Sequence, residues 1–139
     1  MSNYELGPEL WFDLHLEALH AIDDKRKKKF ANKIKKVYKS IQCKRCKGHM
    51  KKFIKGHPLS MYDRRYDDEG KDIGMFLWSW KFHNDVNKRT DKRIMDFREA
   101  YKMYKVGTFR DSAFSFNPIN NQLGCCVVPR IGCPACGTY

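Results

Sequence analysis

The chain reads as an all-α protein. Apolar residues recur at helical spacing in each segment that looks ordered, long β-branched runs are few, and residues 78–92 contain neither Gly nor Pro. At 139 residues it makes one domain with loose ends. Its apolar content of 42% supports a small, thin core that a buried cofactor would help to complete.

Over residues 8–21, Leu10, Trp11, Leu14, Ala18 and Leu19 form an apolar stripe, and Pro8 suits a first helical turn. His15 lies one turn after Trp11; a lone His there is ordinarily a satisfied core residue. Asp23 and Asp24 are placed to cap a second helix over residues 25–41, with Phe30, Ile34, Val37, Tyr38 and Ile41 inward. Cys43-Lys-Arg-Cys46 opens a short third helix that carries Met50, Phe53 and Ile54 and closes at Gly56 and Pro58. A mixed-charge loop fills residues 56–74. The central helix is expected over residues 73–88. A last helix is expected from residue 94, where Ile94, Phe97, Tyr101 and Tyr104 share a stripe. Residues 107–139 hold four Gly, three Pro and only Arg110, Asp111 and Arg130 as charges, so they read as a mostly irregular arm. The expected division is a helical domain over residues 1–106 and a flexible arm over 107–139. The arm carries Cys125, Cys126, Cys133 and Cys136.

The central helix is too polar on its inward stripe. His83 and Asn87 are four apart, with Trp80 and Asn84 beside them. Buried polar groups need partners, and a flat, polar bound molecule would supply them. Lys88, Arg89 and Lys92 follow at once, as if that molecule ended in phosphates.

Charge is concentrated elsewhere. The net charge is +12, and residues 25–55 hold fifteen Lys and Arg and no acid. The bland reading is a solvated helix face. The sharper readings are nucleic acid, an acidic partner, or phosphate anchoring of a cofactor. Nucleic acid is the weaker of these, because the aromatics are interior by periodicity and not interleaved with the lysines for base stacking. No apolar run approaches the ~20 residues of a membrane helix, and no basic-then-apolar leader is seen at the N-terminus. A reducing compartment is therefore expected, in which six cysteines serve as metal ligands or redox thiols.

Two C-x-x-C pairs are present, Cys43/Cys46 and Cys133/Cys136. A local zinc module spaces its pairs by roughly 15–20 residues; here 86 residues intervene, leaving only a long-range metal site as the zinc alternative. The redox alternative has a physical basis. A thiol at a helix N-terminus meets unpaired N–H groups and the positive dipole end, and Lys44, Arg45 and Lys47 strengthen that field. The arm pair could then pass electrons to the first pair by thiolate attack on a disulfide. A final acceptor is still needed.

Four signals in order resemble the Erv/ALR family of FAD-linked sulfhydryl oxidases, especially its short viral members. They are Gly7-Pro-Glu-Leu-Trp11-Phe-Asp-Leu-His15, Cys43-Lys-Arg-Cys46, His83-Asn84-Asp-Val86-Asn87, and Lys92. The resemblance implies a four-helix bundle plus a short fifth helix, with FAD at the bundle's end. It implies that Gly7, Pro8, Trp11 and His15 line the flavin site. Trp80, His83, Asn84, Val86 and Asn87 would touch the flavin and adenosine, Lys88, Arg89 and Lys92 the ribose and pyrophosphate, and Tyr104 the adenine. Cys46 would be the flavin-proximal thiolate of a charge-transfer pair, and Cys43 the interchange thiol. Cys133/Cys136 would be the shuttle, drawing on protein dithiols or a thioredoxin-like relay, with O₂ as acceptor and H₂O₂ as product. Relatives imply a homodimer. Viral members work in the host cytoplasm and furnish virion proteins with disulfides, which reconciles an oxidase with a reducing compartment. Many members also carry a structural disulfide at the positions of Trp80 and Phe97. Contact between these two aromatics is expected in its place.

Overall fold

A computed structural model of the protein describes residues 8–106. Gly7 and the arm over 107–139 lie outside the described residues. Four helices form a bundle: α1 (Pro8–His20), α2 (Asp24–Ser40), α3 (Lys44–Gly56) and α4 (Gly74–Arg89). A short fifth, α5 (Phe97–Val106), packs across α1 and α4. The described residues form no strand; Tyr66 and Asp72 make an isolated antiparallel bridge. No described helix is long and apolar enough to cross a membrane.

Local chemistry explains the boundaries. Asp23 caps α2, its carboxylate accepting from the Arg26 amide at 2.8 Å. Cys43 caps α3. Asp96 accepts from the amides of Arg98 and Glu99 at 3.0 and 3.2 Å, so α5 begins at Phe97, three residues later than its apolar stripe suggests. Ile94 falls outside the helix and is exposed. Residues 56–74 are also more ordered than a plain loop, with a 3-10 turn at Leu59–Tyr62.

The core sits around α4. Its Trp78 meets Phe30 of α2 edge-on at 6.1 Å and Phe53 of α3 at 5.4 Å. Its Phe76 and Ser79 face His15 of α1. Its Trp80 meets Phe97 of α5 edge-on at 5.3 Å, the contact expected between these two aromatics. A helix packed on most of its circumference has little room for a polar face, which is why α4 carries only Lys81 and Asp85 as charges before its last turn. Trp78 and Phe82 are fully buried, each contributing about 1.5–3 kcal/mol by removal from water. The connector before α4 is tied down by Lys27 of α2, which pairs with Asp63 and, at 2.6 Å, with Asp72. Burial opposes the charge on Lys27, but hydrogen bonds to Asp63 and Asp72 outweigh it and raise its proton affinity. Tyr101 of α5 donates to Asp67 at 2.7 Å and closes the connector from the other side.

Candidate active site

Cys43 and Cys46 are joined by a disulfide, with their Cα atoms 5.2 Å apart. Cys43 is the cap residue, and its Sγ accepts the Cys46 amide at 3.1 Å. The first turn of α3 carries no acid, so sulfur anion formed there meets the helix dipole and Lys44, Arg45 and Lys47 without competition. Both cysteines are half-buried and pack on the core. Cys46, Met50 and Phe53 lie at i, i+4 and i+7, one face of α3. That face continues inward, because Phe53 meets Phe82 at 5.2 Å and Phe82 meets Trp11 at 5.4 Å. The far end of α4 lies beside the same turn. His49 is held below its ordinary proton affinity by burial and by the charges of Arg89 and Arg45.

Beyond Phe82 lies a buried pair of imidazoles. Trp11 stacks on His83 with centroids 3.7 Å apart and planes within 5°. His15 Nε2 is 2.8 Å from His83 Nδ1, and His15 Nδ1 is 2.9 Å from Ser79 Oγ. Tyr104 closes the group, 5.3 Å from His15. The proton order follows from the network. Ser79 Oγ donates its proton to the Phe76 carbonyl at 2.8 Å, so it must accept from His15 Nδ1–H. Complete burial pushes the His15 pKa down to about 3, so the ring is neutral at pH 7 and its Nε2 is an acceptor. His83 Nδ1 therefore donates. In neutral His83 the ring acceptor is then Nε2. Burial also raises the pKa of the Tyr104 hydroxyl, which stays protonated.

The carboxamides divide. Asn84 uses both ends of its amide on Met95, donating to its carbonyl at 2.9 Å and accepting its amide at 3.1 Å. Trp80 Nε1 donates to the same carbonyl at 2.7 Å. These two residues pin the connector between α4 and α5. Asn87 donates to the Arg93 carbonyl at 3.1 Å, and its own carbonyl accepts from Lys92 N at 2.8 Å. Its side-chain oxygen, however, is buried and meets no donor among the described residues. An acceptor left so costs about 1–3 kcal/mol, and a polar ligand offering an N–H or O–H there fits it. Val86 is half-buried, and Lys88, Arg89 and Lys92 are exposed within a turn of Asn87. Arg89 also pairs with Asp85 at 3.0 Å.

Trp11, His15, His83 and Tyr104 are thus in one cluster, and Asn87 lies one turn along α4 from His83. Pro8 opens α1. Gly7, Cys133 and Cys136 lie outside the described residues. Sequence reasoning missed Ser79 and the Met95 backbone. A serine within an aromatic stretch carries no motif, and a main-chain acceptor carries no side-chain signal at all.

The pattern of the Erv1 / Alr family matches residues 8–105. Two proteins named FAD-linked sulfhydryl oxidase, from two isolates of African swine fever virus, are each 29% identical to this chain over 102 residues, covering 71% of it and 79% of their own length. No solved structure matches significantly. The family pattern spans all but one of the described residues, from the first turn of α1 to the last of α5, and on that ground the chain belongs to the Erv1 / Alr family.

Proposed function

We propose that the protein is an FAD-linked sulfhydryl oxidase that makes disulfides in protein dithiols. One observation carries the reading: a Cys43–Cys46 disulfide caps a helix whose inward face leads, through Phe53 and Phe82, to the stacked Trp11/His83 pair. Family membership and the names of the viral relatives support it.

A thiolate of the incoming dithiol attacks one sulfur of Cys43–Cys46 and forms a mixed disulfide. The second substrate thiol resolves it, so the substrate is oxidised and Cys43 and Cys46 are left as two thiols. We assign the exchange to Cys43, the cap residue, and the flavin-proximal role to Cys46, which shares a face of α3 with Met50 and Phe53. Cys133/Cys136 on the arm serve as the shuttle that meets protein substrate, or a thioredoxin-like relay, first. Bound FAD would supply the acceptor for the electron pair of the Cys43/Cys46 dithiol and its transfer to O₂ as H₂O₂, chemistry that no side chain here supplies. Trp11, His15, His83 and Tyr104 form one wall of its site, and Gly7 and Pro8 are assigned to the same site on the family motif alone. Asn87 offers its unmet acceptor. Trp80, Asn84 and Val86 shape the wall, since the polar ends of Trp80 and Asn84 are already bound to Met95. Lys88, Arg89 and Lys92 supply the cations for pyrophosphate.

The relatives' viral origin supports action in host cytoplasm and in the virion. We also infer a homodimer, which light scattering of the full chain tests. Against a zinc module stands the disulfide, whose sulfurs have no thiolate to give a metal.

Purified protein is expected to be yellow, to release flavin on denaturation, and to consume a small dithiol with matching H₂O₂. Cys46→Ser should abolish that turnover and keep the flavin. A colourless protein with stoichiometric zinc would sink the reading. Deleting residues 107–139 should spare small-dithiol oxidation and slow that of protein thiols; equal loss of both removes the shuttle role of the arm.

A further inference from the structure

The lysines of residues 25–55 fall into different sets by what they meet. Lys27 turns to Asp63 and Asp72, and Lys33 to Asp13 and, at 3.5 Å, Glu17. Lys35, Lys39, Lys51 and Lys55 are exposed, and among the described residues none pairs with a carboxylate. They sit as two i, i+4 pairs, one on α2 and one on α3. Like charges at that spacing weaken each helix, yet both pairs rim one groove of about 560 Å³. Its floor is Ile34, Tyr38, Ile54 and Leu59, flanked by Ala31 and Pro58. One end points toward the start of α3: Lys47, the residue after Cys46, lies 5.0 Å over the ring of Tyr38, which lines the groove, although neither cysteine does.

We propose that this groove between α2 and α3 docks an acidic amphipathic helix of a protein partner, and so brings that partner's dithiol to Cys43–Cys46. The docking itself is independent of the oxidase reading; only the purpose rests on it. The floor takes the apolar ridge of a helix, and the lysines on both rims take carboxylates on its two flanks. A second copy of this chain would bring lysine against lysine. The arm over 107–139 holds a single acid, Asp111. Nucleic acid wants aromatic platforms, and Tyr38, the groove's one aromatic, is already under the Lys47 ammonium.

The test uses the full chain and a labelled synthetic helix of about 14 residues, enough to span ~20 Å. It carries Leu on one face, Glu along both flanks and no cysteine. Fluorescence anisotropy should show binding that weakens with salt. It should weaken about 10-fold or more in the variant Lys35→Glu/Lys39→Glu/Lys51→Glu/Lys55→Glu, and be absent when the peptide's Glu are Lys. That variant should still oxidise a small dithiol at the parent rate. If it does not fold, Lys35→Ala/Lys39→Ala and Lys51→Ala/Lys55→Ala should each weaken the peptide several-fold. Equal binding of both peptides, or indifference to all the lysine variants, overturns the proposal. So does a parent dimer that the charge reversal dissociates, which assigns the groove to a second copy. So does duplex DNA that competes fully with the acidic peptide. Absence of small-dithiol oxidation by the parent chain would count against the oxidase and leave the peptide result standing.

Discussion

Removing the Ser79 hydroxyl strips His15 of the acceptor for its Nδ1–H. Nothing else changes in covalent terms, yet the donor is fully buried. Ser79→Ala should therefore lower stability by about 1–3 kcal/mol. It should also free His15 to take the other tautomer, which turns its contact with His83 round. Side-chain ¹⁵N spectra of the two histidines should change from one protonation pattern to a mixture. Spectra identical to the parent's would place the control of the tautomer elsewhere. A merely structural serine would cost stability without moving those spectra. At this scale the site is partly legible. Trp11, His15 and His83 stand out as aromatic and ionisable groups on helical stripes. Ser79 does not, because its meaning depends on a partner 64 residues away. Asn84 and Asn87 look alike in sequence, and only the fold separates them. Asn84 is spent on Met95, and Asn87 keeps an oxygen for a ligand.

Helix boundaries obey the same division between local and distant causes. The caps of α2 and α3 can be read from Asp23 and from the Cys43 pair, since each acts within three residues. The apolar stripe that runs back to Ile94 overstates α5, because Asn84 and Trp80 hold Met95 in an extended connector and Asp96 then starts the helix. The start of α4 is set from further off. Asp72 accepts the Gly74 amide at 3.0 Å and is itself held by Lys27, while a Cβ on Gly74 would run into the Tyr62 main-chain carbonyl. Helix propensity alone says that Gly74→Ala stabilises by up to about 1 kcal/mol. The clash says the reverse, because the obstacle is backbone and cannot rotate away. Gly74→Ala should destabilise by about 1–3 kcal/mol, measured by urea unfolding. A more stable variant would show that the 3-10 turn at Leu59–Tyr62 yields easily.

Acid reaches the whole molecule through His15. The bundle excludes water from this ring, and its pKa falls from 6.5 to about 3. The unfolded chain therefore binds a proton below pH 6.5 that the folded chain refuses until about pH 3. Since the unfolded state holds more protons in that window, stability rises with pH and is lost on acidification. Each unit below 6.5 costs up to about 1.4 kcal/mol. Asp67 is held low by the hydroxyl of Tyr101, and Asp63 by the ammonium of Lys27. Their contributions fade only in the carboxylate range, well below pH 5. His49 acts in the same direction as His15, but it is partly exposed and adds little. Unfolding by urea in high salt, which screens the net charge of +12, should thus lose about 2 kcal/mol between pH 7 and pH 5. The slope should persist in an Asp67→Asn variant, where the carboxylate can no longer contribute. A stability that holds level across that interval would mean His15 takes up its proton in the folded state. Its Nε2 could then no longer accept from His83, and the proton order running from Phe76 through Ser79 to His83 would have to be abandoned.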